Sequence, residues 1–101
     1  MLALKGQFVF SILGNVRGTT MIHIKEKTLN DQWVEISLDG ILDEEAVPVV
    51  EEVCRNYLSW NKQVQLNLGG LLHVSRDGRD LLFSLNELVS IVNPPEFVMF
   101  P

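Results

Sequence analysis

Apolar residues recur along this chain at two different periods. In Ile22-His23-Ile24-Lys25, and again in Val34-Glu35-Ile36-Ser37-Leu38-Asp39, they alternate with polar ones, the period of a half-buried strand. Leu29-Asn30-Asp31-Gln32 between the two runs is a turn by its Asn-Asp pair. Met21–Thr28 and Trp33–Asp39 are therefore predicted to form a β-hairpin with one apolar face, closed by Gly40. Asp43-Glu44-Glu45 then puts three carboxylates where a helix begins, because the free N–H groups and positive dipole end favour anions there. Val47, Val50, Val53, Cys54, Tyr57 and Leu58 follow at helical spacing, with Pro48 in the first turn. Ser59-Trp60-Asn61-Lys62 ends that helix. Gln63–Leu68 alternates once more, with Val64, Leu66 and Leu68 on one side. Flanked by helices, it suits a central parallel strand.

Gly69-Gly70 loosens the chain, and Leu71, Leu72 and Val74 keep it apolar. Ser75-Arg76-Asp77-Gly78 is a turn leading into a short helix whose buried stripe is Leu81, Leu82 and Leu85. Leu88–Val92 reads as another strand, Asn93-Pro94-Pro95 breaks it, and Glu96–Phe100 is a last helical turn. The order β-β-α-β-α-β-(α) predicts an α/β fold with a mixed four-stranded sheet and helices packed on it.

Composition narrows the function classes. One hundred and one residues make one domain with one core. Lys+Arg is 8 against 13 Asp+Glu, a net charge of −5, which opposes binding to phosphate backbones and argues against nucleic acid. A single cysteine excludes an internal disulfide, and with only two histidines it cannot build a Cys/His zinc site; no metal or cofactor is implied. Phe8–Leu13 is too short to span a bilayer, which needs about 20 residues. It also lacks a signal peptide's cleavage pattern, so no membrane contact is expected.

The first 20 residues stand apart, since they contain none of the acidic residues. Two readings follow. Gln7–Leu13 adds an edge strand, or the natural chain begins at Met21 and residues 1–20 are an extension from an upstream start codon. The compositional break favours the second, with 21–101 as the domain; N-terminal sequencing that found Met1 or Leu2 would defeat it.

Two stretches together resemble the STAS domain family, the bacterial anti-sigma-factor antagonists and the related domains of sulfate transporters. Ile36-Ser37-Leu38-Asp39-Gly40-Ile41-Leu42-Asp43 resembles the family's strand ending in Gly-x-Leu-Asp before its first helix. Leu66-Asn67-Leu68-Gly69-Gly70-Leu71-Leu72-His73-Val74-Ser75-Arg76-Asp77-Gly78 resembles its Leu-Asp-Leu-Ser-Gly-Val-x-x-Ile-Asp-Ser-Ser-Gly. The likeness covers residues 21–101. It implies a cytoplasmic, non-enzymatic interaction module whose partner is an anti-sigma factor, a kinase-type regulator or another STAS protein. It also implies a partner-binding surface at Ser75, Arg76, Asp77, Gly78 and Arg79. The departure is at the acceptor: Ser75 stands where the family has Asp, and Arg76 where it has the phosphorylated Ser. No serine phosphorylation is expected there, so the resemblance is to compact variants without that switch.

The segment has simpler roles as well. Asp77 and Ser75 are both candidate helix caps. Arg76 and Arg79 are a solvated face pairing weakly with Asp80, and Gly78 marks a close backbone approach. Elsewhere, Cys54 falls on the apolar stripe and reads as a buried inert thiol. His23, His73, Asp80 and Glu87 have no spacing that gathers them into an acid–base set. Trp33 and Trp60 are candidate interface anchors or core covers. The alternative reading is a small-molecule or nucleotide-binding α/β domain using the C-terminal ends of its strands.

Overall fold

The computed structural model describes residues 9–13, as backbone, and 21–98. The elements are β1 (Val9–Leu13), β2 (Ile22–Thr28), β3 (Trp33–Leu42), α1 (Val47–Ser59), β4 (Gln63–Val74), α2 (Arg76–Leu85) and β5 (Ser90–Val92). The strands form one mixed sheet in the order β1-β2-β3-β4-β5. β1 and β2 pair antiparallel, as do β2 and β3, whereas β3, β4 and β5 are mutually parallel. This is the α/β class expected; β1 adds a fifth strand at the edge, where one of the two readings of Gln7–Leu13 put it.

The hairpin forms where the alternation puts it. Asn30 Oδ1 accepts hydrogen bonds from Gln32 N at 2.8 Å and Trp33 N at 2.9 Å, which fixes the β2–β3 turn. Ile22 and Ile24 of β2, Val34, Ile36 and Leu38 of β3, and Val64, Leu66 and Leu68 of β4 are all buried. Their shared face is covered by α1, through Val50, Val53 and Cys54, and by α2, through Leu81, Leu82 and Leu85. Two parallel crossovers moving in one direction along the sheet leave both helices on the same side. The opposite face is polar. There Glu35 Oε2 accepts from Gln65 Nε2 at 3.0 Å and Asn67 Nδ2 at 3.2 Å, and Lys25 Nζ lies 3.4 Å from Asp39 Oδ2.

The structure corrects several boundaries. Gly40 does not close β3: it takes φ +102°, and the strand runs on to Leu42. The acidic run Asp43–Glu45 lies in a turn ahead of α1, where Asp43 Oδ1 accepts from Glu45 N at 3.1 Å and Ala46 N at 3.2 Å. Helix α1 proper starts at Val47. β4 does not stop at Leu68 but continues through Gly69-Gly70 to Val74. It carries an extra residue between the pairs Ser37↔Asn67 and Asp39↔Gly70, and another between Gly40↔Leu71 and Ile41↔His73. These bulges break the alternation that marks a strand in sequence. They also place His73 in the sheet and turn Leu72 outward, 77% exposed, beside buried Leu71. β5 is three residues long, because Leu88 N and Val89 N still bond to Leu85 O behind α2. The final helical turn expected at Glu96–Phe100 is a turn closed by Val98 N to Pro95 O at 3.0 Å; residues 99 and 100 lie outside those described.

Candidate functional site at the start of the second helix

Ser75 to Arg79 are not a loop before a helix. Ser75, in extended conformation, is the N-cap of α2, and Arg76 is already helical. Ser75 Oγ accepts from Gly78 N at 3.2 Å, so the cap is Ser75 and not Asp77. Asp77 stands in the first turn, where its charge meets the positive end of the helix.

This helix start is clamped to β3. Ser75 N donates to Leu42 O at 2.9 Å. Gly78 lies against the same carbonyl: a Cβ built there would meet Leu42 O at 2.4 Å and Leu42 Cγ at 2.9 Å. Gly78 is therefore buried for a close approach, and it supports the surface from beneath instead of lying on it. The two sequence stretches, Ile36–Asp43 and Leu66–Gly78, meet at this contact.

Arg76, Asp77 and Arg79 are exposed and Ser75 is half-buried. Neither arginine makes an ion pair among the described residues, so the expected pairing with Asp80 does not form. The helical period gathers the exposed charges of α2. At roughly 100° per residue, Arg79, Arg76, Asp80 and Asp77 follow one another around a single exposed arc of about 160°, with Arg76 only about 40° from Asp80. The Asp77 end of this arc lies beside α1, at an open cleft of about 350 Å³ lined by Val47, Glu51, Asp77, Asp80, Leu81 and Ser84. Glu51 lies off the apolar stripe of α1, so helical period alone gives it no partner across the cleft. The i, i+3 spacing of Asp77 and Asp80 is the one sequence signal of the cleft.

The remaining candidates are dispersed. His23 sits on β2 and His73 on β4 with β3 between them, while Asp80 lies in the helix layer on the other side of the sheet. No three His, Cys, Asp or Glu side chains cluster as metal ligands among the described residues. Cys54 is fully buried, and burial pushes its thiol from 9.0 up to about 12. Tyr57 donates its phenol proton to Glu26 Oε1 at 2.5 Å. Burial and then that hydrogen bond hold the phenol above its ordinary value. Glu26 is in phase with Ile22 and Ile24 along β2, and that alternation is the sequence signal of its burial. Trp60 is exposed and packs edge-on to Tyr57 at 5.4 Å, at the opposite end of the molecule from Arg76.

No protein-family model matches this chain, and no curated protein matches it. A solved structure described as "Crystal Structure Analysis of Mglu" is similar in fold, with a TM-score of 0.60 at 21% identity. The match covers 73% of this chain and 20% of that one, so the chain spans about a fifth of the structure it resembles. At that identity the likeness shows the α/β fold alone. No helix among the described residues is long and apolar enough to cross a membrane.

Proposed function

We propose that this chain is a non-enzymatic, STAS-like protein–protein interaction module of bacterial cytoplasmic regulation. In this reading it resembles an anti-sigma-factor antagonist without the serine phosphorylation switch. It docks through the start of α2, where Ser75, Arg76, Asp77 and Arg79 form the surface and Gly78 underpins it. Its partner is an anti-sigma factor, a kinase-type regulator or another STAS protein. The observation that carries the reading is Arg76: the first residue of α2, exposed and without an ion pair, at the position that corresponds to the family's phosphoacceptor. A phosphate at such a helix start would change the local charge by nearly two units and repel an acidic partner. A guanidinium there is fixed and cationic at every physiological pH. Docking is then constitutive, or controlled from the partner's side.

A nucleotide-binding role has less support. The cleft beside this surface is lined by Glu51, Asp77 and Asp80, whose charge opposes a phosphate. The test is affinity capture from the native cytoplasm with the full chain and with its Arg76→Glu, Arg79→Glu variant. A protein partner held by the first and lost by the second is expected. Equal capture by both would remove the arginines from the docking surface. A thermal shift of several degrees with one nucleotide or metabolite, and no protein partner, would favour the ligand-binding alternative.

A further inference from the structure

We propose that the cleft between α1 and α2 is the seat for an arginine side chain projected by the protein partner. The inference rests on the docking reading above and specifies the partner's chemistry. The floor of the cleft is apolar, made by Val47 and the nearly buried Leu81. Its rim is acidic from both helices, with Glu51 on α1 and Asp77 and Asp80 on α2. Asp77 and Asp80 make no ion pair among the described residues. Among the described residues Glu51 holds only Arg55 of its own helix, through Oε2 at 3.0 Å.

An apolar floor under an acidic rim is complementary to a side chain with an apolar stem and a cationic head. Arginine fits better than lysine, because its planar fork of donors can meet carboxylates on two walls and it is more weakly hydrated. A bare divalent ion fits poorly, since these carboxylates do not converge as metal ligands do. The volume of about 350 Å³ lies at the small end for a ligand pocket and suits one large side chain. Arg76 and Arg79 stand beside the cleft on the same exposed arc of α2, Arg76 one turn before Asp80. A partner bearing an arginine and an acidic patch is thereby held in one register, the kind of specificity that paired opposite charges supply.

The probe is a blocked seven-residue peptide of alanine and leucine with one central arginine, compared with the same peptide carrying citrulline in its place. Each is titrated into the isotopically labelled full chain while amide shifts are followed. Shifts centred on Val47, Glu51, Asp80 and Leu81 are expected, with affinity about tenfold lower for citrulline and about tenfold lower for Asp77→Asn, Asp80→Asn. Ser84→Arg, which hangs an arginine of the chain's own over the cleft, is expected to block the peptide. Equal binding of both peptides, shifts centred elsewhere, or Mg²⁺ perturbing the cleft while the arginine peptide does not would each overturn the inference.

The captured partner separates the two readings. If Arg76→Glu, Arg79→Glu loses it while Asp77→Asn, Asp80→Asn keeps full affinity, the cleft inference fails and docking stands. If the arginine peptide seats in the cleft but the arginine pair proves irrelevant to capture, the cleft stands and the docking surface must move.

Discussion

Gly78 shows how one missing side chain joins two distant parts of the sequence. Helix propensity alone makes Gly78→Ala favourable by about 1 kcal/mol. The carbonyl of Leu42, 2.4 Å from the new methyl group, reverses that sign, because a backbone atom cannot step aside without moving the end of β3. We expect Gly78→Ala to cost about 1–3 kcal/mol and to lower the melting temperature by about 4 °C or more. An unchanged or higher melting temperature would contradict the clamp.

Cys54 gives a second test at this scale. Its thiol is raised by burial, with Arg55 opposing. At pH 8 the native protein should therefore react with a thiol reagent about a thousandfold more slowly than the urea-unfolded chain. The linkage has a definite sign. The folded value, about 12, exceeds the unfolded 9.0, so this group's contribution to stability is complete below pH 9 and is lost as pH rises through about 12. Rapid native labelling would show that the first helix does not seal the core over Cys54.

Among the elements, α2 depends most on a single cap. Ser75→Ala removes the acceptor for Gly78 N and should cost about 0.5–2 kcal/mol, read as a lower urea midpoint with an unchanged slope. Asp77 cannot replace it from within the first turn. Some elements were legible in the sequence and others were not, for identifiable reasons. The hairpin and α1 follow from period, since Ile22, Ile24, Val34, Ile36 and Leu38 alternate and Val50, Val53 and Cys54 recur at helical spacing. The second half of β4 was hidden because two bulges destroy its period, and glycines at 69 and 70 mimic a strand end. The sequence starts α2 too late because Gly78 reads as a turn residue, when its smallness serves contact with Leu42. The grouping of Arg76, Asp77, Arg79 and Asp80 on one exposed arc becomes visible only once α2 is known to begin at Arg76.

At the scale of the whole molecule, the order of the strands puts one functional end on the fold. β3 and β4 run parallel, so their C-terminal ends lie together, and α2 starts there. The sheet's free face is a polar network centred on Glu35, while the helix layer carries the cleft. That separation could not be read from the chain, because Glu51 and Asp80 come to line one cleft only after the β4 crossover sets α1 beside α2. It leaves α2 as an element with two cations and two carboxylates along one exposed arc, fastened beneath by Leu42 and Gly78. Titration calorimetry of the captured partner against the wild-type chain and Arg76→Glu, Arg79→Glu tests the docking claim most directly. The account predicts an affinity lower by about tenfold or more in the variant with an unchanged melting temperature, and no change in wild-type affinity after treatment with a Ser/Thr kinase and ATP. Equal affinities for the two chains would contradict it.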